Sequence, residues 1–134
     1  MPRPTHRGLR HLALNVRQVS AMKTFYVDVL GFRVEWEPDP DNVYLTSGVD
    51  NLALHRAPAR EAAAAGGPGA LDHLGLIVAA AADVDAWAAH LEAHGVALDM
   101  RPTTHRDGAR SCYFRDPDGN RVQIMHHPPI SGAV

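Results

Sequence analysis

The sequence predicts an α+β fold built from two βαβββ modules, and three observations carry that prediction. Residues 71–78, Leu-Asp-His-Leu-Gly-Leu-Ile-Val, repeat residues 9–16, Leu-Arg-His-Leu-Ala-Leu-Asn-Val, at an offset of 71 − 9 = 62 positions. A helical apolar period follows each copy and stops at a glycine, Gly31 or Gly95. Three short strand patterns then follow each helix. A self-similarity of that length in 134 residues reads as two copies of a unit that cannot bury its apolar face alone. The expected organisation is a single domain over 1–134, with a first module at 9–56, a linker at 57–70 and a second module at 71–127.

Each element has its own signal. In the first strand Leu12, Leu14 and Val16 fall on one face, and His11, Ala13 and Asn15 on the other. Ser20 is the expected helix cap, and Met22, Phe25, Tyr26, Val29 and Leu30 recur at helical spacing before Gly31. Residues 32–36, 43–46 and 51–56 read as strands, separated by a loop at 38–42 and a turn at 48–50. The Ala/Gly/Pro-rich stretch 57–70 is the linker, with a helical turn expected at 61–65.

In the second copy Asp83 is the expected cap, and Val84, Trp87, Ala88 and Leu91 form the helical stripe ahead of Gly95. Residues 96–101 and 109–115 read as strands around a polar loop at 102–108. Asp116-Pro117-Asp118-Gly119 is a turn in which proline presets φ and glycine takes a positive one. Residues 121–126 are the last strand, ended by Pro128 and Pro129, after which a short tail is expected.

Composition excludes several classes of partner. Thirteen Lys and Arg against fifteen Asp and Glu give a formal charge of −2, with no basic stripe to follow a nucleic-acid backbone. The lone Cys112 cannot form an internal disulfide. No run approaches the ~20 apolar residues of a membrane span, and the first ten residues lack the apolar core of a secretory signal. A soluble, cytoplasmic protein is expected.

Four positions stand out for chemistry: His11 and His73 on the repeated first strands, His55 on the last strand of the first copy, and Gln123 on the last strand of the second. A lone strand histidine is usually structural, but three at matching places of a duplicated unit point to a metal, since imidazole suits zinc, iron, nickel and cobalt. An amide is a poorer ligand, so Gln123 can instead bind substrate or an ion-bound water. His105 and Arg110, in or beside the polar loop, and Tyr113 are candidates for substrate contact. Cys112 reads as a small buried strand residue, His90 and His94 as residues near a helix C-terminus, and His126 and His127 as surface residues.

Arg10-His11-Leu12-Ala13-Leu14, Phe25-Tyr26, Leu30-Gly31-Phe32, Asp72-His73-Leu74-Gly75 and especially Tyr113-Phe114-Arg115-Asp116-Pro117-Asp118-Gly119-Asn120 resemble the vicinal oxygen chelate superfamily. That superfamily includes glyoxalase I, extradiol dioxygenases, fosfomycin-resistance transferases and bleomycin-resistance proteins. The resemblance, over residues 9–127, implies paired modules whose mixed sheets form an open cup, usually in a homodimer.

It further implies one divalent ion, of Zn, Fe, Ni, Co or Mn, held by His11, His55, His73 and Gln123. Such an ion would act as a Lewis acid on a small substrate with vicinal oxygens. The family's metal-binding members carry a carboxylate in at least one last-strand place, whereas His55 and Gln123 are neutral. That departure favours the alternative, a metal-free protein that sequesters a drug or metabolite as the bleomycin-resistance members do.

Overall fold

The computed structural model describes residues 3, 5, 7–57 and 71–132, so the expected linker lies outside the described residues apart from Ala57. The chain divides into two compact units, residues 1–63 and 64–134.

The first unit contains β1 (His11–Val16), α1 (Val19–Thr24), β2 (Arg33–Asp39), β3 (Asn42–Thr46) and β4 (Asn51–Arg56). Its sheet has the order β1-β4-β3-β2, with β1 and β4 parallel and the other neighbours antiparallel. The second unit contains β5 (Leu74–Ile77), α2 (Ala81–Ala93), β6 (Leu98–Thr104), β7 (Arg110–Arg115) and β8 (Arg121–His126), in the same order β5-β8-β7-β6 and with the same senses. The fold class is therefore α+β, two four-stranded mixed sheets with few helices.

The apolar face of each sheet is covered by its own helix. Val16, Met22, Tyr26, Val43, Leu45 and Leu54 are almost completely buried in the first unit, as are Val84, Leu91, Cys112, Phe114, Val122 and Ile124 in the second. α1 runs on into a π-helical segment, Phe25–Val29, where Tyr26 meets Phe25 and Phe32 edge-on at 5.7 and 5.4 Å. Gly31 and Gly95 follow the two helices with φ of 80° and 76°, the left-handed conformation that ends a helix most easily at glycine.

Several local expectations are corrected. Ser20 lies inside the first turn of α1, whose cap is Gln18, and Met22 N–H donates to the Gln18 carbonyl at 2.9 Å. Asp83 is the third residue of α2, where its carboxylate reaches back to accept from Ala80 N–H at 3.0 Å. Acidic side chains serve a helix N-terminus from inside the first turn as well as from the cap, so the sequence signal is good to a turn and no better.

Pro38 and Pro102, expected in loops, lie within β2 and β6. Both are edge strands, and both prolines fall where the register shifts, between Trp36 and Asp39 and between Met100 and Thr103. A missing N–H is tolerated at an edge or a bulge. The expected tail begins as one helical turn, α3 (Pro128–Ser131), closed by His127 N–H donating to Ser131 Oγ at 2.8 Å.

Candidate functional site

Strand alternation sends His11, Ala13 and Asn15 to the sheet face away from α1, and parallel pairing sets them opposite Asn51, Ala53 and His55. In the second unit Gly75 and Ile77 lie opposite Gln123 and Met125. The first strands thus superpose at an offset of 73 − 11 = 62 and the last strands at 123 − 53 = 70. On this register the counterpart of Gln123 is Ala53, and the counterpart of His55 is Met125.

Pairing sets His55 at a different level from His11. It stands four residues further along the pair of strands, about 13 Å at ~3.3 Å per residue, whereas two nitrogens on one ion lie only a few ångströms apart. Its Nδ1 donates to Asn42 Oδ1 at 2.6 Å, and Tyr44 meets the ring edge-on at 5.7 Å. The face was legible in the sequence but the level was not, because a period of two says nothing about how far two strands are slid.

The second unit does bring its residues together. Gln123 is 7% exposed, and a Cβ built on Gly75 would stand 3.7 Å from its Oε1, an ordinary van der Waals distance, so the amide lies alongside the glycine. Tyr113 is directly opposite Gln123 and meets His73 edge-on at 5.4 Å and 89°. The Arg121 guanidinium lies 3.8 Å above the centre of the Tyr113 ring, a cation–π contact absent from the sequence reading.

The register that aligns these groups is set by the Asp116 turn. One Asp116 oxygen accepts from Asp118 and Asn120 N–H at 3.0 and 2.9 Å, and Gly119 takes φ of 90°.

The loop residues separate. His105 Nε2 hydrogen-bonds Ser111 Oγ at 2.8 Å, which ties it to the strand face that also carries Tyr113. Arg110 is on the other side, with Cys112 and Phe114, and pairs with Asp85 of α2 through Nε and Nη2 at 2.9 and 2.7 Å. Its hydrogen bond and charge hold the Asp85 carboxyl below the usual carboxylate range. Burial pushes the Cys112 thiol up, which suits an inert core residue and not a nucleophile.

In the first unit the corresponding face is aromatic. Trp36, 58% exposed, stacks on Tyr44 at 5.1 Å and 25°. His94, assigned to the end of α2, uses Nδ1 on the His90 carbonyl at 2.9 Å.

For an ion, the two first-strand histidines present suitable donors. His11 Nδ1 meets Asn51 Oδ1 at 2.8 Å and His73 Nδ1 meets Asp72 Oδ2 at 2.7 Å. Both acceptors are oxygens, so each neutral ring carries its proton on Nδ1 and keeps the Nε2 lone pair free, as a metal-bound histidine requires. The hydrogen bond from His73 holds the Asp72 carboxyl below the ordinary range. Among the described residues, no three His, Cys, Asp or Glu side chains gather as one ligand set.

Comparison with known proteins places these features in a family. Residues 8–124 match the model of the Glyoxalase/Bleomycin resistance protein/Dioxygenase superfamily. Biphenyl-2,3-diol 1,2-dioxygenase 3 of Rhodococcus globerulus is 30% identical over 125 residues, 87% of this chain and 62% of that protein, so the chain spans about three fifths of that relative's length.

Among solved structures, lactoylglutathione lyase from Agrobacterium tumefaciens superposes with a TM-score of 0.75 and 25% identity, covering 92% of this chain and 96% of that one. The glyoxalase family protein from Enterococcus faecalis superposes with a TM-score of 0.68 and 26% identity, covering 90% and 98%. A duplicated βαβββ unit with a histidine opening each copy, matched over nearly its whole length, belongs to the Glyoxalase/Bleomycin resistance protein/Dioxygenase superfamily.

Proposed function

We propose that the chain is a divalent-metal-dependent small-molecule enzyme of the vicinal oxygen chelate type, with candidate donors on each unit, His11 on the first and His73 with Gln123 on the second. The observation that supports this most is the matching state of the two histidines, each anchored through Nδ1 to an oxygen, with no Nε2 partner among the described residues. A bound divalent ion would polarise an oxygen of a diol, enolate or hydroxy-carbonyl substrate. Zn, Fe, Ni, Co and Mn all accept imidazole.

This chain's own residues then shape the site. Tyr113 supports the His73 ring from the side, and Arg121, held over Tyr113, brings a fixed positive charge to the face where an anionic substrate oxygen would be received. Homodimer assembly and a cytoplasmic location belong to the same reading; among the described residues no helix is long and apolar enough to cross a membrane.

Two observations favour a second reading, a metal-free protein that sequesters its ligand. Ala53 offers no donor where the second unit has Gln123, and the exposed Trp36 ring stacked on Tyr44 suits a flat apolar ligand. Metal analysis of protein purified without a histidine tag separates the two. The enzyme reading expects stoichiometric metal in the native protein and its loss in a His11→Ala plus His73→Ala variant. A folded native protein that contains no metal and takes up none on dialysis against zinc, iron, nickel, cobalt and manganese sinks it.

A further inference from the structure

Behind each first-strand histidine stands a carboxylate that is not itself at a ligand position. Asp72 receives the Nδ1 proton of His73 directly at 2.7 Å. On the first unit the link has one more member: His11 Nδ1 donates to Asn51 Oδ1 at 2.8 Å, and Asn51 Nδ2 donates to Glu35 Oε2. Glu35 comes from the edge strand β2, sixteen residues before Asn51, so only the sheet brings the three together.

The direction of this relay follows from chemistry. A carboxylate only accepts, so the Asn51 amide must turn its NH2 to Glu35 and its oxygen to His11; a flipped amide would set oxygen against oxygen. The amide oxygen in turn only accepts, so His11 must donate from Nδ1. A negative group therefore dictates the tautomer of His11 through an intervening amide, as Asp72 dictates that of His73 without one.

We propose that Glu35, acting through Asn51, and Asp72, acting directly, are positioning residues that hold His11 and His73 as Nδ1–H tautomers with Nε2 presented for a metal. In each unit they supply behind the histidine, one or two hydrogen bonds back, the negative charge that Ala53 and Gln123 lack. The role in metal binding rests on the function proposed above, whereas the tautomer assignment rests on the hydrogen bonds alone. The relay from Asp39 through Asn42 to His55 has the same form, with Asn42 Nδ2 donating to Asp39 at 2.9 and 3.1 Å, and it serves as a comparison away from the proposed donors.

The test uses the full chain, labelled with 15N in histidine and freed of metal, at a pH above the histidine titration range. Two-bond proton–nitrogen correlations then report which ring nitrogen carries the proton. In the unmodified chain His11 and His73 are expected in the Nδ1–H form. Glu35→Ala and Asn51→Ala should each return His11 towards the Nε2–H form that free histidine favours while leaving His73 unchanged, and Asp72→Ala should do the converse. Glu35→Gln, whose amide oxygen still accepts, should largely preserve the His11 signal.

Histidines found as Nε2–H in the unmodified chain, or tautomers that none of these variants moves, overturn the proposal. Calorimetric titration with zinc chloride supplies the second readout. Loss of either carboxylate should weaken zinc binding by about 10- to 100-fold. If the unmodified chain binds no zinc although the tautomers respond as expected, the proposed function fails and the tautomer control stands. If zinc binds and affinity is the same in all variants, the positioning role towards metal is wrong.

Discussion

Opposite Ala13 the first unit has Ala53, and opposite Gly75 the second has Gln123, so one backbone frame carries a small apolar pair in one copy and a polar donor in the other. Around that point the copies diverge consistently. Tyr44 and Tyr113 hold the same place on the third strand, yet Tyr44 is stacked against Trp36 and Tyr113 lies beneath Arg121. Duplication has kept the register and the first-strand histidine, and let the rest of the polar face specialise. The first unit has an aromatic wall, and the second has an amide and a fixed positive charge.

That comparison can be tested first at the cores, where the units should respond alike. Phe114→Ala in the second unit should cost about 3–5 kcal/mol and Met22→Ala in the first about 2–5 kcal/mol, read from denaturant unfolding; both side chains are fully buried. A cost below about 1 kcal/mol at either site would show that its sheet is not packed by its helix as described.

The next largest effects should separate the units. Gln123→Glu puts a carboxylate into a nearly buried place and should destabilise the metal-free chain by about 2–3 kcal/mol, with stability recovered on adding zinc. Ala53→Gln, which copies the second unit's donor into the first, should cost about 1–3 kcal/mol from overpacking, because Ala53 is fully buried. Stability unchanged by Gln123→Glu would contradict the enclosure of that amide.

Glycine substitutions should again treat the units equally. Gly31→Ala and Gly95→Ala each force an alanine to positive φ in open space, at about 1–2 kcal/mol, and a marked inequality between them would break the structural equivalence of the two helix ends.

The smallest effect is electrostatic and confined to the second unit. The Asp85 carboxyl is held low by Arg110, so its contribution is present above the unfolded value of about 4 and is lost as pH falls through the folded one. The melting temperature of Asp85→Asn should therefore lie slightly below that of the unmodified chain near neutral pH, and the gap should close on acidification. Cys112 should remain unreactive to thiol reagents until the chain unfolds, since its buried thiol resists ionisation.

The sequence by itself determined the duplication, the strand and helix types, the glycine stops and the sheet face on which His11 and His55 lie. These are local properties, carried by periods of 2 and 3.6 and by residues whose backbone freedom is unusual. Only the tertiary structure decided the level of one strand against its neighbour. His55 has the right residue type on the right face, yet pairing places it opposite Asn15, and Ala53 takes the position matching Gln123.

The same holds for Glu35 and for Pro38 and Pro102. A carboxylate sixteen residues from Asn51 meets it only across a sheet, and a proline is tolerated in a strand only once that strand is known to be an edge. Alternation fixes direction; hydrogen-bonded register fixes distance, and chemistry at a site depends on both.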